Sequence, residues 1–293
     1  MPTETVYGLA ADATNGAAVA AIYTAKGRPS FNPLISHVAS LAMAEELAHF
    51  SPLARRLAEH FWPGPLTLVL PRKTKCPVSD LATAGLPSIG VRVPQHIATL
   101  EIIRRVGRPL AAPSANPSEA LSPTTAAHVA SGLGPRIDLI VDGGACSAGV
   151  ESTIIAVGET GAVLLRPGAI ARADIELFTG PLASPDASDG VVAPGMMKRH
   201  YAPRARLRLD AMNASDGEAF LAFGAPPPGV LPSLNLSIRG DLAEAASNLF
   251  AMLRTLDVSH DAIAVQTIPE SGLGEAINDR LRRGTLLSRE SGV

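Results

Sequence analysis

Apolar and polar positions along this chain switch repeatedly between a spacing of three to four residues and runs that suit strands. Residues 2–12 read as a turn followed by a short apolar segment. From Asn15 to Ala25, Ala17, Ala20, Ala21 and Ala25 with Val19 and Ile22 predict a small-residue helix packed closely on a neighbour. Gly27 stops it and Pro29 prevents a restart. Pro33 to Val38 is strand-like, and Leu41–His49 and Pro52–Phe61 are amphipathic helices. The turn Trp62-Pro63-Gly64-Pro65 precedes a buried strand at Leu66–Leu70.

The middle of the chain alternates faster. Strands are predicted at Ser88–Pro94, Leu110–Ala112 and Leu139–Gly144, with helices at Ile97–Val106 and Thr125–Ser131. Ser152–Val157 and Ala162–Arg166 pair as a hairpin that ends in Pro167-Gly168. Strands and helices mix without βαβ regularity. That favours an α+β domain with a large, twisted mixed sheet over a doubly wound one. Residues 180–190 then read as a flexible linker. Residues 194–203 (Pro-Gly-Met-Met-Lys-Arg-His-Tyr-Ala-Pro) carry more functional groups than a linker needs. A second unit follows, with strands at Leu207–Leu209, Phe220–Phe223 and Ala262–Gln266 and helices at Ala243–Leu256 and Leu273–Arg283. The predicted division is a domain at 1–179, a linker or lid at 180–204, and a smaller, Rossmann-like α/β domain at 205–293.

Composition narrows the function classes. A net charge of −2 argues against stable residence on nucleic acid or an anionic membrane. The two cysteines, Cys76 and Cys146, imply no disulfide framework and suit a reducing cytosol. No apolar run reaches membrane-spanning length and no signal-peptide pattern is present. The Walker and dinucleotide glycine patterns, Gly-x-Ser-x-Gly, His-Glu-x-x-His and Cys-x-x-Cys are all missing. Carboxylates in the candidate turns are limited to Glu4, Asp142 and Glu151, which disfavours a carboxylate-held metal.

The chemistry concentrates elsewhere. Residues 26–37 (Lys-Gly-Arg-Pro-Ser-Phe-Asn-Pro-Leu-Ile-Ser-His) put two cations, an amide, a hydroxyl and an imidazole into one turn, in a chain with only three other lysines. Such a turn reads either as a polyanion clamp or as a solvated basic loop. Ser88 and Arg92 share a strand face. Ser114-Ala115-Asn116 is framed by prolines, and Ser122, Ser152 and Arg166 fall on other turns or strands. Each serine alone is an ordinary turn or capping residue. Arg92 and Arg166 stand among apolar neighbours and therefore need an anionic partner or a solvated cavity. Together these groups suggest a concave site for an oxygen-rich anion, such as a nucleotide with a small acid. The clustered arginines Arg204, Arg206, Arg208, Arg280, Arg282 and Arg283 read as solvated faces.

Pro2-Thr3-Glu4-Thr5-Val6-Tyr7-Gly8-Leu9, Lys26-Gly27-Arg28-Pro29 with Asn32-Pro33-Leu34 and His37, Trp62-Pro63-Gly64-Pro65-Leu66-Thr67, Ser114-Ala115-Asn116, Ser152-Thr153 and Leu165-Arg166-Pro167-Gly168 follow one another in that order. This series resembles the L-threonylcarbamoyladenylate synthase family, whose catalytic part is a YrdC-like domain. Residues 194–203 resemble the linker of its two-domain branch. The resemblance implies an enzyme, a nucleotidyltransferase, making threonylcarbamoyl-AMP and pyrophosphate from L-threonine, bicarbonate and ATP with Mg²⁺, and no metal held directly by side chains. It implies cytoplasmic location and a product passed to the complex that modifies tRNAs reading codons that begin with A. It assigns Thr5, His37, Arg92, the Ala112 backbone and Ser152 to threonine. Arg28, Asn32, Ser88, Ser114, Ser122, Arg166 and Tyr201 go to ATP. Lys26 and Asn116 lie near the phosphates, and Lys26 and Arg28 are the catalytic pair.

Family members carry a further helix and edge strand ahead of the Pro-Thr-Glu-Thr motif. A start at Met1 is then expected to leave Thr5 poorly positioned and apolar surface exposed behind it. The rival reading is a non-catalytic, YrdC-like RNA-binding factor in tRNA or rRNA maturation. The chain lacks the aromatic-basic patch such a factor needs. The related carbamoyl-adenylate-forming domain of hydrogenase maturation comes with zinc-finger cysteines that this chain does not have.

Overall fold

A computed structural model describes residues 1–158, 161–185 and 201–286. The first part of the chain contributes β1 (Ala11–Asp12), α1 (Gly16–Lys26), β2 (Ile35–His37), α2 (Leu41–Leu47), α3 (Pro52–Phe61), β3 (Leu66–Pro71), α4 (Asp80–Thr83), β4 (Ser88–Arg92), α5 (Ile97–Val106), β5 (Leu110–Ala111), α6 (Ala126–Leu133), β6 (Thr153–Val157), β7 (Ala162–Arg166) and α7 (Arg172–Thr179). Most of these helices begin where a side chain takes up free backbone N–H groups; α5 and α7 do not. Asn15, Ser40, Ser51 and Thr125 each accept such bonds, and Pro52 occupies the first turn of α3, where no donor is needed. Gly27 ends α1 in the left-handed conformation, φ 62°.

Seven strands form one mixed sheet in the order β1-β5-β2-β4-β3-β6-β7. β3 runs antiparallel to β4 and parallel to β6, and β2 runs parallel to β4. The registers His37 with Arg92, Leu68 with Val91, Leu66 with Thr153, and Ile154 with Arg166 bring His37, Arg92, Ser152 and Arg166 to one end of the sheet. Leu66, Leu68, Leu70, Val91, Ile155 and Leu57 fill the core between this sheet and α2, α3 and α1.

The second part is β8 (Arg206–Arg208), β9 (Glu218–Ala222), β10 (Leu234–Asn235), α8 (Leu242–Ser259), β11 (Ala262–Val265) and α9 (Gly274–Gly284). Its four strands lie in the order β10-β9-β11-β8 and are all parallel, the arrangement expected of a small Rossmann-like unit. Its core of Phe250, Leu249, Leu253, Ile263, Ile277 and Leu281 also includes Val6, Leu121 and Val150 from the first part and Tyr201, so the two parts pack on each other. No described helix is long and apolar enough to cross a membrane.

Three expectations change. Leu139–Gly144 is not a strand. Ile137–Val141 faces Ala10 and Ala11 across an open apolar groove, so no strand edge lies alongside to take its backbone groups. The first residues of the predicted flexible linker are tied down, because Ala183 exchanges backbone bonds with Ala162 and Leu164 at the sheet edge. Arg280 is not on a solvated face but buried. The short β10 and α4 and the helix α7 were not predicted. β10 and α4 are too short to show a period, and in α7 only Ile175 is buried, so its apolar stripe is faint in the sequence.

Candidate active site

The N-terminal segment enters the sheet end beside Arg92. Thr3 Oγ1 donates to the Val6 carbonyl, accepts from the Thr5 and Val6 amides and lies within hydrogen-bond distance of Thr5 Oγ1 at 2.8 Å. Thr5 is thus buried and fixed, against the expectation that it would be poorly positioned. A groove lined by Met1, Leu9, Ala18, Ile22, Ile102 and Ile140 does lie behind this segment.

Thr3, Thr5, Gly8, Ile35, His37, Arg92, Ala112, Ser114, Glu151, Ser152, Arg28, Arg166 and Tyr201 line one cavity at this sheet end. Nine of the predicted site residues are therefore brought together: Thr5, Arg28, His37, Arg92, Ala112, Ser114, Ser152, Arg166 and Tyr201. Arg92 is held by Gly64 O at 3.1 Å, Thr5 Oγ1 at 3.0 Å and Glu4 Oε1 at 2.6 Å. A guanidinium has five N–H donors, so these three bonds orient it and leave two. His37 is buried next to it, and burial, with the Arg92 charge, pulls its pKa down to about 3. It is therefore a neutral hydrogen-bonding group at physiological pH. The Ala112 amide hydrogen is donated to Ile35 O, so only its carbonyl oxygen remains for a ligand.

The opposite side is built on Arg166. It donates to Ser152 O at 2.9 Å, Ser152 Oγ at 3.2 Å and the Tyr201 hydroxyl at 3.4 Å. Gly168 permits this closeness: a Cβ there would meet the Ser152 and Thr153 backbone at 2.4 Å. Arg28 donates to Asn32 O at 3.2 Å and Pro33 O at 3.0 Å, folding its own turn. Burial lowers its pKa to about 10, still charged at neutral pH. Among the described residues no carboxylate pairs with it. Tyr201 adopts φ 61°, rare for a side-chain-bearing residue, with its ring buried against Phe250 and Arg280.

The remaining predicted residues do not line the cavity. Lys26 sits behind its wall, its amine donating to Ser114 O at 2.5 Å and to Asn116 O. Burial there, with the Arg28 charge, pushes its pKa well below the ordinary lysine value. Asn116 donates to Pro117 O and Ala120 O, and Asn32 is buried in the turn that Arg28 folds. Ser122 donates to Glu151. Ser88 stands at the far end of β4, opposite Pro71, about 13 Å of strand from Arg92. Of the predicted linker or lid at 180–204, residues 186–200 lie outside the described residues.

Lining or bracing groups that escaped the sequence reading as site residues include Thr3, Glu4, Glu151 and Arg280. The last two form a pair across the domains. Both are buried, and they pair at 2.8 Å. The signal for Arg280 was present, since it follows Ile277 by three residues and Ala276 by four, on the buried stripe of α9.

Comparison with known proteins agrees with this geometry. A family model for Sua5/YciO/YrdC proteins, described as "Telomere recombination", matches residues 1–168. A second, described as "Threonylcarbamoyl-AMP synthase, C-terminal domain", matches residues 170–285. The threonylcarbamoyl-AMP synthase of Pyrococcus abyssi is 42% identical over 97% of this chain and 89% of its own length. That of Bacillus subtilis is 41% identical over 96% and 87%. The crystal structure of P. abyssi Sua5 complexed with L-threonine superposes with a TM-score of 0.88 at 40% identity, covering 97% of this chain and 89% of that one. Escherichia coli YciO, at 21% identity and TM-score 0.52 over 57% of this chain and 81% of its own, shares the fold.

Proposed function

This chain belongs to the Sua5/YciO/YrdC family, in its two-domain threonylcarbamoyl-AMP synthase branch, and from that premise we propose how its cavity makes threonylcarbamoyl-AMP. The observation that carries the reading is the convergence of Arg28, Arg92 and Arg166 on one cavity whose walls also offer hydroxyls, a carbonyl, the His37 imidazole and a single carboxylate, Glu151. Three guanidiniums suit anionic reactants, and two groupings of them suit two substrates.

Threonine takes the Arg92 side. The free guanidinium donors grip its carboxylate, the Ala112 carbonyl accepts from its amine, and Thr5, His37 and Ser152 meet its hydroxyl. ATP takes the side of Arg28, Arg166, Ser114 and Tyr201. Lys26 acts from behind by fixing the Ser114–Asn116 turn and adding positive potential near the phosphates. Asn32, Asn116 and Ser122 support the same wall; Ser88 can take part only at the far end of an extended ligand.

Bicarbonate condenses with the threonine amine, with loss of water, to give an N-carboxylate. Its oxygen attacks the α-phosphorus, the bond to the bridging oxygen breaks, and pyrophosphate leaves with the electron pair. On this reading the enzyme is a nucleotidyltransferase. Nucleophile and electrophile are both anionic, so alignment and charge screening do more than proton abstraction. A neutral His37 fits that demand. Among the described residues no three His, Cys, Asp or Glu side chains cluster to hold a metal. On this reading Mg²⁺ accompanies the ATP phosphates, where it would neutralise charge on the leaving pyrophosphate. The product feeds tRNA modification in the cytoplasm.

Purified protein given threonine, ATP, Mg²⁺ and labelled bicarbonate should release pyrophosphate and retain the label in threonylcarbamoyl-AMP. Pyrophosphate release indifferent to threonine would contradict the reading, and RNA retention without turnover would favour a binding factor instead.

A further inference from the structure

A buried carboxylate is a poor companion for an ATP site, yet Glu151 lines this cavity. Its surroundings explain how it is tolerated. Oε2 accepts from Arg280 Nε at 2.8 Å, and Oε1 accepts from Ser122. Burial pushes the Glu151 carboxyl up, but the Arg280 and Arg166 charges and the Ser122 hydroxyl outweigh it and hold it below the usual range. Arg280 comes from α9 of the second domain and is 1% exposed. It is itself braced by Asp279 at 2.7 Å, and its guanidinium carbon lies 4.7 Å from the Tyr201 ring centroid.

The docking that delivers Arg280 is built into both domains. Gly149, two residues before Glu151, has φ 71°, and a Cβ there would meet the Ala246 and Ser247 backbone of α8 at 2.4 Å. Arg254 of α8 donates to Leu121 O, next to Ser122. Arg172 of α7 pairs with Glu275 of α9 at 2.6 Å. The second domain is thus fastened on both sides of the Glu151 carboxylate.

Glu151 has two cations within electrostatic reach, Arg166 and Arg280, with Tyr201 and Asp279 as the other titratable neighbours. We propose that Arg280 is a positioning residue for the ATP side: by pairing Glu151 from the second domain, it keeps that carboxylate from neutralising Arg166 and leaves Arg166 for an anionic ligand. This gives the second domain a part in the chemistry without touching substrate. The inference rests on the proposed seat of ATP.

A double-mutant cycle between Arg280→Met and Glu151→Gln, read as ATP affinity and as KM for each substrate, tests it. In the Glu151 background, Arg280→Met should weaken ATP about tenfold, with threonine KM within about threefold, because an unpaired buried carboxylate then competes for Arg166. In the Glu151→Gln background the Arg280→Met loss should shrink to within about twofold. Thermal unfolding of each variant reports integrity, and Arg280→Gln, which removes the charge but keeps a hydrogen-bond donor, carries the same cycle if the methionine variant does not fold. An Arg280→Met loss that is equal in both backgrounds, or that falls on threonine and ATP alike, would overturn the inference while leaving the functional reading intact. Wild-type protein that binds no ATP would overturn both.

Discussion

Arg92 and Arg166 face one cavity from two sides, and each has a carboxylate for a neighbour, but the two pairs are built differently. Glu4 bonds Arg92 directly at 2.6 Å and is itself anchored on the Gln95 amide at 3.1 Å. Both residues belong to the first domain, and the bond aims the guanidinium while leaving donors free. Glu151 makes no hydrogen bond to Arg166. It is turned instead onto Arg280 from the second domain. One carboxylate orients its cation and the other is drawn away from it. On the proposed division of substrates, the threonine side is therefore complete within one domain, whereas the ATP side depends on two.

That contrast is sharpest at Arg92. Arg92→Met should lower kcat/KM for threonine by about 100-fold or more, since it removes a charge-assisted grip and leaves Glu4 unpaired, while ATP KM moves within about threefold. Steady-state kinetics with each substrate varied separately check this. Arg28→Met should raise ATP KM about tenfold and leave threonine within about threefold; equal losses for both substrates would dissolve the division between the two sides. Gly168→Ala should act on both sides at once. Its Cβ would drive Ser152 from its place between the two arginines, so both KM values should rise and the unfolding midpoint fall by the equivalent of about 2 kcal/mol. The smallest effect concerns pH. With its pKa near 3, His37 stays neutral, so threonine KM should show no step from this residue between pH 6 and 8. The sign for stability is opposite to that of a salt-bridged histidine: the unfolded chain binds the proton more readily, so His37 lowers stability as pH falls from about 6.5 toward 3. A threonine KM that changes across pH 6–7 in wild type but not in His37→Asn would break that assignment.

How much of this was legible in the sequence depended on whether a residue's role was local. Arg92 and Arg166 stood out because an arginine in an apolar strand demands a partner or a cavity. The β6–β7 hairpin stood out because its two runs are adjacent and end at Pro167-Gly168. Lys26 was legible as a member of its cluster, but its direction was not. Only the fold shows its amine turned onto the Ser114 and Asn116 carbonyls. Ser88 shares a strand face with Arg92 yet stands at the other end, a separation that face alone does not encode. Leu139–Val141 has strand composition and no edge to join. Arg280 was hidden by its neighbours, because Arg282 and Arg283 made a run that resembled a charged face. Helical spacing with Ala276 and Ile277 assigns it inward, but its partner Glu151 lies 129 residues away and is found only in three dimensions.

The central claim is that two arginines hold two different substrates. Equilibrium binding of threonine and of ATP to Arg92→Met and Arg166→Met, both confirmed folded, tests it in four numbers. The account predicts a crossed pattern: threonine affinity lost only in Arg92→Met, and ATP affinity lost mainly in Arg166→Met. Parallel losses of both ligands in both variants would contradict it.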